Sequence, residues 1–143
     1  MIRESCLRGA VGFAVTGPVR PVTGSRCTRC RKTSGHHVAA TAAPRDAVGI
    51  GGEVTWFQSS PEARRGVRAT CGLRLFRKKV GLHLSSTHPN ALGGATGPRL
   101  TAHIFCRDKG DYYEIGDGLP CFEGDDPALS ADADDPTLSA DAP

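Results

Sequence analysis

The chain has 143 residues, of which 38% are hydrophobic and only 6% aromatic, so it suits one domain with a modest core that a metal or cross-link would help to hold. The formal charge of +3 hides an asymmetry: the seven acids from Glu123 onward have no base among them, leaving 18 bases against eight acids, about +10, in residues 1–122. No apolar run has the length of a membrane span or the core of an export signal, and the arginines lack the interleaved aromatics of a single-strand binder, so neither a membrane nor nucleic acid is the expected partner.

The 18 glycines and 10 prolines favour short elements joined by turns. Val11 to Val15 alternates around Phe13 and reads as a strand, and a helical turn is expected near Cys27 to Ser34. Val54 to Phe57 is β-rich, and a short helix is expected from Pro61 to Arg65. Val80, Leu82 and Leu84 alternate as a further strand, and Leu100 to Cys106 gives the last candidate. Gly17-Pro18, Gly51-Gly52, Ser59-Ser60-Pro61, Pro89-Asn90 and Gly93-Gly94 supply the turns. The expected class is all-β. The body, residues 1–122, ends near Phe122. Beyond it DDPALSADA (125–133) repeats as DDPTLSADA (134–142), and the acidic tail 123–143, with one leucine per copy, reads as disordered.

With no export signal the expected location is the cytoplasm, where six cysteines point to metal or catalytic thiols before disulfides. Cys27-Thr28-Arg29-Cys30 is a CxxC, a spacing that lets two thiolates face one ion, and Arg26, Arg29, Arg31 and Lys32 favour the thiolate form. A redox role is open too, although no βαβ pattern surrounds the motif. Cys6 and Cys71 each precede a glycine turn, Cys106 ends an apolar run and reads as core, and Cys121 gives no strong signal.

Four segments in chain order carry a resemblance. They are Ser5-Cys6-Leu7-Arg8-Gly9-Ala10-Val11, then Ser25 to Lys32 with Ser34-Gly35-His36, then Arg68-Ala69-Thr70-Cys71-Gly72 with Leu75-Phe76. The last is Ala102-His103-Ile104-Phe105 with Asp108 to Tyr113 and Gly118-Leu119-Pro120. Together they resemble the glutathione-dependent formaldehyde-activating family, whose domain also occurs in centromere protein V. The likeness runs from Ser5 to about Phe122. It implies a β-tent fold of twisted antiparallel sheets with short helical turns. It also implies a closed four-sulfur zinc site, a second zinc with an open position, and a carbon–sulfur lyase that condenses glutathione with formaldehyde into S-hydroxymethylglutathione.

By that resemblance Cys27 and Cys30 are the catalytic residues and hold the catalytic zinc, while Cys6 and Cys71 are the remnant of the structural site. Arg8, Ser25 and Arg68 stand where the family has cysteine, so the closed site keeps two of its sulfurs and the open one keeps its CxxC. If one metal remains, it is expected at Cys27 and Cys30. His36 or His37 could replace a lost ligand; His83 and His88 lie farther along, and His103 reads as structural. The alternative is a non-catalytic, metal-poor β-tent module that holds an anionic partner on its basic face.

Overall fold

Alternation makes β2 (Gly12–Val15): Phe13 and Val15 are buried, while Gly12 and Ala14 face the less protected side. The computed structural model describes residues 2–81, 84–88 and 95–128, the Glu4 side chain aside. Within them β2 is the middle of a three-stranded antiparallel sheet, flanked by β1 (Ile2–Ser5) and β5 (Val48–Gly51). The remaining strands are β3 (Val22–Ser25), β4 (Val38–Pro44), β6 (Thr55–Ser60), β7 (Ala63–Val67), β8 (Arg74–Lys79), β9 (Leu84–Thr87) and β10 (Leu100–Ile104). They form a seven-stranded sheet in the order β10-β3-β4-β9-β8-β7-β6. An α-helix, α1 (Thr28–Ser34), precedes β4, with short 3₁₀ turns at Arg45–Ala47 and Cys106–Asp108, and Pro127 and Ala128 are helical as well. The domain is all-β, as its turn-rich composition predicts.

The two sheets close on one core of Cys6, Val11, Phe13, Val15, Ala43, Leu75 and Phe76, edged by Ile50, Val54, Trp56 and Cys71. Phe13 of the small sheet meets Phe76 of the large sheet edge-on at 5.0 Å, and Trp56 stacks on Phe76 at 6.1 Å. Burying a ring of this size is worth roughly 1.5–3 kcal/mol, so this junction joins the sheets. Phe76→Leu keeps an apolar side chain but loses the ring contacts, and about 1–2 kcal/mol of stability should go with them. Urea unfolding measures this; an unchanged midpoint would mean that the sheets do not meet through Phe76.

Three expectations are corrected. Pro61 to Arg65 is not helical: Pro61 and Glu62 turn the β6–β7 hairpin, and Ala63 onward is strand, because pairing with β6 and β8 overrides the local helix preference. Val80 to Leu84 is not one strand either. Val80 is 71% exposed in the turn with Gly81 that follows β8, and Leu84 begins β9. Finally, the large sheet is mixed, since β10 runs parallel to β3. Twelve residues separate Thr87 from Leu100, the length a crossover needs to bring the chain back in the same direction.

No helix among the described residues is long and apolar enough to cross a membrane. The Phe105 N–H donates to the Gly124 carbonyl at 2.8 Å, so backbone pairing continues two residues past Phe122. Most of the acidic repeat, with His83 and the Pro89-Asn90 and Gly93-Gly94 turns, lies outside the described residues.

Candidate thiol site

β3 ends at Ser25, and the chain passes through Arg26 and Cys27 into α1. Cys27 caps this helix, its Sγ accepting the Cys30 N–H at 3.4 Å. Gly35, left-handed at φ 75°, closes the other end with its N–H on the Arg31 carbonyl. The one-turn spacing therefore brings the two sulfurs together. The Cys30 thiol donates to Cys27 and is the chief reason Cys27 is held down at about 5. The Cys30 and Arg29 N–H groups and the Ser25 hydroxyl add to this, against the opposing effect of burial. The same hydrogen bond, followed by burial, pushes Cys30 far up, so the pair is one thiolate and one thiol at neutral pH.

The floor under this pair is cationic. Arg65 of β7 is buried and lies directly across the ladder from Arg77 of β8, a like-charge pairing that costs stability unless an anion sits nearby. Arg74 and Arg77 feel the charge of both cysteines, and Arg65 acts on Cys30. Burial, and then Arg65, lowers both Arg74 and Arg77. The Cys27 thiolate is one such anion, and Asp125 is another that acts on Arg77. Arg29 ties α1 to the sheet through the Ser59 carbonyl at 3.1 Å, and Arg74 does so through the Thr33 hydroxyl.

Cys6 and Cys71 also meet, each from a six-residue turn. In one, the Cys6 N–H reaches the Val11 carbonyl at 2.8 Å; in the other, the Arg68 N–H reaches the Leu73 carbonyl at 3.0 Å. Each turn carries a left-handed glycine, Gly9 or Gly72, whose N–H bonds the carbonyl of the turn's first residue. Cys6 Sγ accepts the Val11 N–H at 3.3 Å, the first cause of its lowered pKa; the Arg8 and Ala10 N–H groups and the Cys71 thiol contribute less. Cys106 and Cys121 form a third neighbouring pair, with Cys106 raised by burial and then by Cys121. Cys106 is half-buried rather than core, because the chain turns at left-handed Phe105 before it.

Sequence reasoning missed a buried relay next to the CxxC. Arg26, only 3% exposed, donates to Tyr113 Oη at 3.1 Å, to the Gly24 carbonyl at 3.1 Å and to His103 Nδ1 at 2.6 Å. A guanidinium can only donate, so Nδ1 carries the lone pair and Nε2–H donates to Asp117 Oδ2 at 2.7 Å. Asp117 is lowered, chiefly by the Leu119 N–H and then by His103. Gly24 leaves the room for this: a Cβ there would lie 2.9 Å from Arg26 Nη1. His36 meets Tyr113 edge-on at 4.2 Å and lies tilted against His37 at 4.6 Å. No group of three or more His, Cys, Asp or Glu able to hold a metal occurs among the described residues, so neither histidine completes the Cys27–Cys30 pair there.

No protein-family model and no curated protein matches this chain. Among solved structures, the chain is similar to a crystal structure of a Rhodobacter sphaeroides protein, a structural genomics target. The two are 18% identical over 69% of this chain and 99% of that one, with a TM-score of 0.55. This likeness is one of fold.

Proposed function

We propose that Cys27 and Cys30 form the working centre of a carbon–sulfur lyase that condenses glutathione with formaldehyde, or a related aldehyde, into S-hydroxymethylglutathione. The observation that carries this reading is the split ionisation of the pair, a thiolate at Cys27 beside a thiol at Cys30, next to Arg65, Arg74 and Arg77. The arginines attract the carboxylates of glutathione and acidify its bound thiol. The glutathione sulfur bonds to the carbonyl carbon; its proton passes to Cys27, and the Cys30 proton passes to the carbonyl oxygen. Transfer from Cys27 to Cys30 along their hydrogen bond restores the starting pair.

Zinc, which the motif resemblance implies, does not fit the residues present. A tetrahedral site takes four ligands, or three with an open position. Cys27 and Cys30 offer two sulfurs with the Ser25 hydroxyl beside them, Cys6 and Cys71 offer two within the core, and no third ligand joins either pair among the described residues. A cytoplasmic location belongs to the same reading, since a working thiolate suits a reducing compartment.

Mixing glutathione with ¹³C-formaldehyde and following the hemithioacetal by NMR tests the activity. The protein should hasten equilibrium in the presence of a chelator, and Cys27→Ser and Cys30→Ser should each remove the acceleration. No acceleration, with or without added zinc, would overturn the lyase. A second reading is a non-catalytic module whose basic face holds an anion, favoured by the directly opposed Arg65 and Arg77. Anion binding without acceleration selects it.

A further inference from the structure

Between the last turn of α1, the start of β4 and the start of β8 lies a cavity of about 370 Å³. Exposed Thr33, Ser34 and Gly72 form its rim, and His37, Arg74 and buried His88 line it more deeply. His88 is 7% exposed, and its Nδ1 lies 3.3 Å from the Ala39 carbonyl. A carbonyl only accepts, so Nδ1 carries the hydrogen and Nε2 keeps a lone pair, which has no partner among the described residues. Arg74 is similarly incomplete. Its Nη1 bonds Thr33, while Nε and Nη2, buried, have no partner among the described residues. Those two nitrogens share the edge of the guanidinium that meets both oxygens of a carboxylate.

A buried donor or acceptor left unpaired costs about 1–3 kcal/mol, so four on the residues around one cavity, His37 Nδ1 among them, call for a ligand. The donor fork selects an oxyanion and the lone pair selects a donor beside it. The lining contains no carboxylate, so an ammonium group would have no counterion and would face Arg74. A phosphate dianion would have one guanidinium for two charges. The volume is that of a small-molecule site.

We propose that this cavity binds a small 2-hydroxycarboxylate, its carboxylate on Nε and Nη2 of Arg74 and its hydroxyl donating to Nε2 of His88. The nitrogens are sealed behind the cavity wall, so binding includes a side-chain rotation at the exposed Thr33 rim. The site shares Arg74 with the cationic floor of the thiol centre, but it uses neither cysteine and does not rest on the lyase reading.

Titration of the full chain, followed by ¹H–¹⁵N NMR, tests this with lactate, propionate, alanine and inorganic phosphate as probes. Lactate should shift the Leu73, Arg74 and His88 amides saturably, and propionate should bind roughly tenfold more weakly for want of the hydroxyl. Alanine and phosphate should be weaker still. Arg74→Met should abolish the shifts, and His88→Leu should bring lactate down to propionate; Cys27→Ser, which removes an anion from near Arg74, should bind lactate no more weakly than the parent, which separates this site from the lyase. Equal affinity for lactate and propionate overturns the proposal, and this comparison needs no variant. So does tighter binding of phosphate, or no saturable shift at millimolar lactate.

Discussion

At pH 6 a limiting amount of iodoacetamide should label Cys27 before any other cysteine, roughly tenfold faster than an ordinary thiol. With its pKa at about 5, Cys27 is some nine-tenths ionised at that pH, whereas a thiol at the usual 9.0 is ionised to about one part in a thousand. The advantage in thiolate is therefore close to three orders of magnitude. Nucleophilicity falls by about 0.4–0.5 log unit for each unit of pKa, which takes back most of it and leaves roughly tenfold. Peptide mass spectrometry after quenching locates the label. Cys30→Ala removes the thiol donor that does most to hold Cys27 down, so its reactivity should move toward higher pH. Cys27→Ser should leave only slow labelling that rises toward pH 9. Exposed Cys121 reacting first at pH 6, or a Cys27 profile centred near 9, would remove the thiolate from the site and the lyase with it.

Acid should weaken the fold by roughly 2–3 kcal/mol between pH 6.5 and 4 through His88 alone. Burial is the main cause holding His88 down at about 4, and the charges of Arg74 and Arg65 add to it, while the Ala39 carbonyl opposes. The folded value lies below the unfolded 6.5, so the unfolded chain takes up the proton first. Stability is whole above pH 6.5, falls as pH drops toward 4, and loses nothing further from His88 below that. His37, lowered by burial and then by Arg26, contributes with the same sign. Asp117 adds its loss only below its usual 3.8. Urea midpoints at pH 7, 5.5 and 4 measure the slope, and His88→Gln should flatten most of it. An equal slope in parent and variant would place the titration elsewhere.

What could be read in advance follows the strength of each local signal. Phe13 and Val15 announce β2 because alternate burial is written directly into side-chain order. The CxxC announces its own geometry because four residues of helix start bring both sulfurs to one spot. β4 carries no such sign: Val38-Ala-Ala-Thr-Ala-Ala-Pro44 is poor in β-formers and is extended because β3 and β9 pair with its two edges. Arg65 hid for another reason. A buried arginine in Ala-Arg-Arg-Gly looks like a solvated one until β8 is placed beside it. The meeting of Cys6 with Cys71 was legible only through the likeness of motifs, since 64 residues separate the two turns. The Arg26–His103–Asp117 relay and the Cys106–Cys121 pair depend on the long-range β3–β10 register and the His103–Cys121 bridge, which no spacing records.

The two glycine turns are frames that do not depend on the side chains they carry. Their hydrogen bonds run from main chain to main chain, so they persist whichever side chains the turns carry. Arg68 opens its turn as Cys6 opens the other, and Arg8 precedes its glycine as Cys71 does. The two turns thus hold one thiol and one guanidinium each at matching places, in the same main-chain frame. Replacing Arg8 and Arg68 together should therefore leave both turns and the strands they join in place, since the main-chain bonds that close the turns use neither side chain.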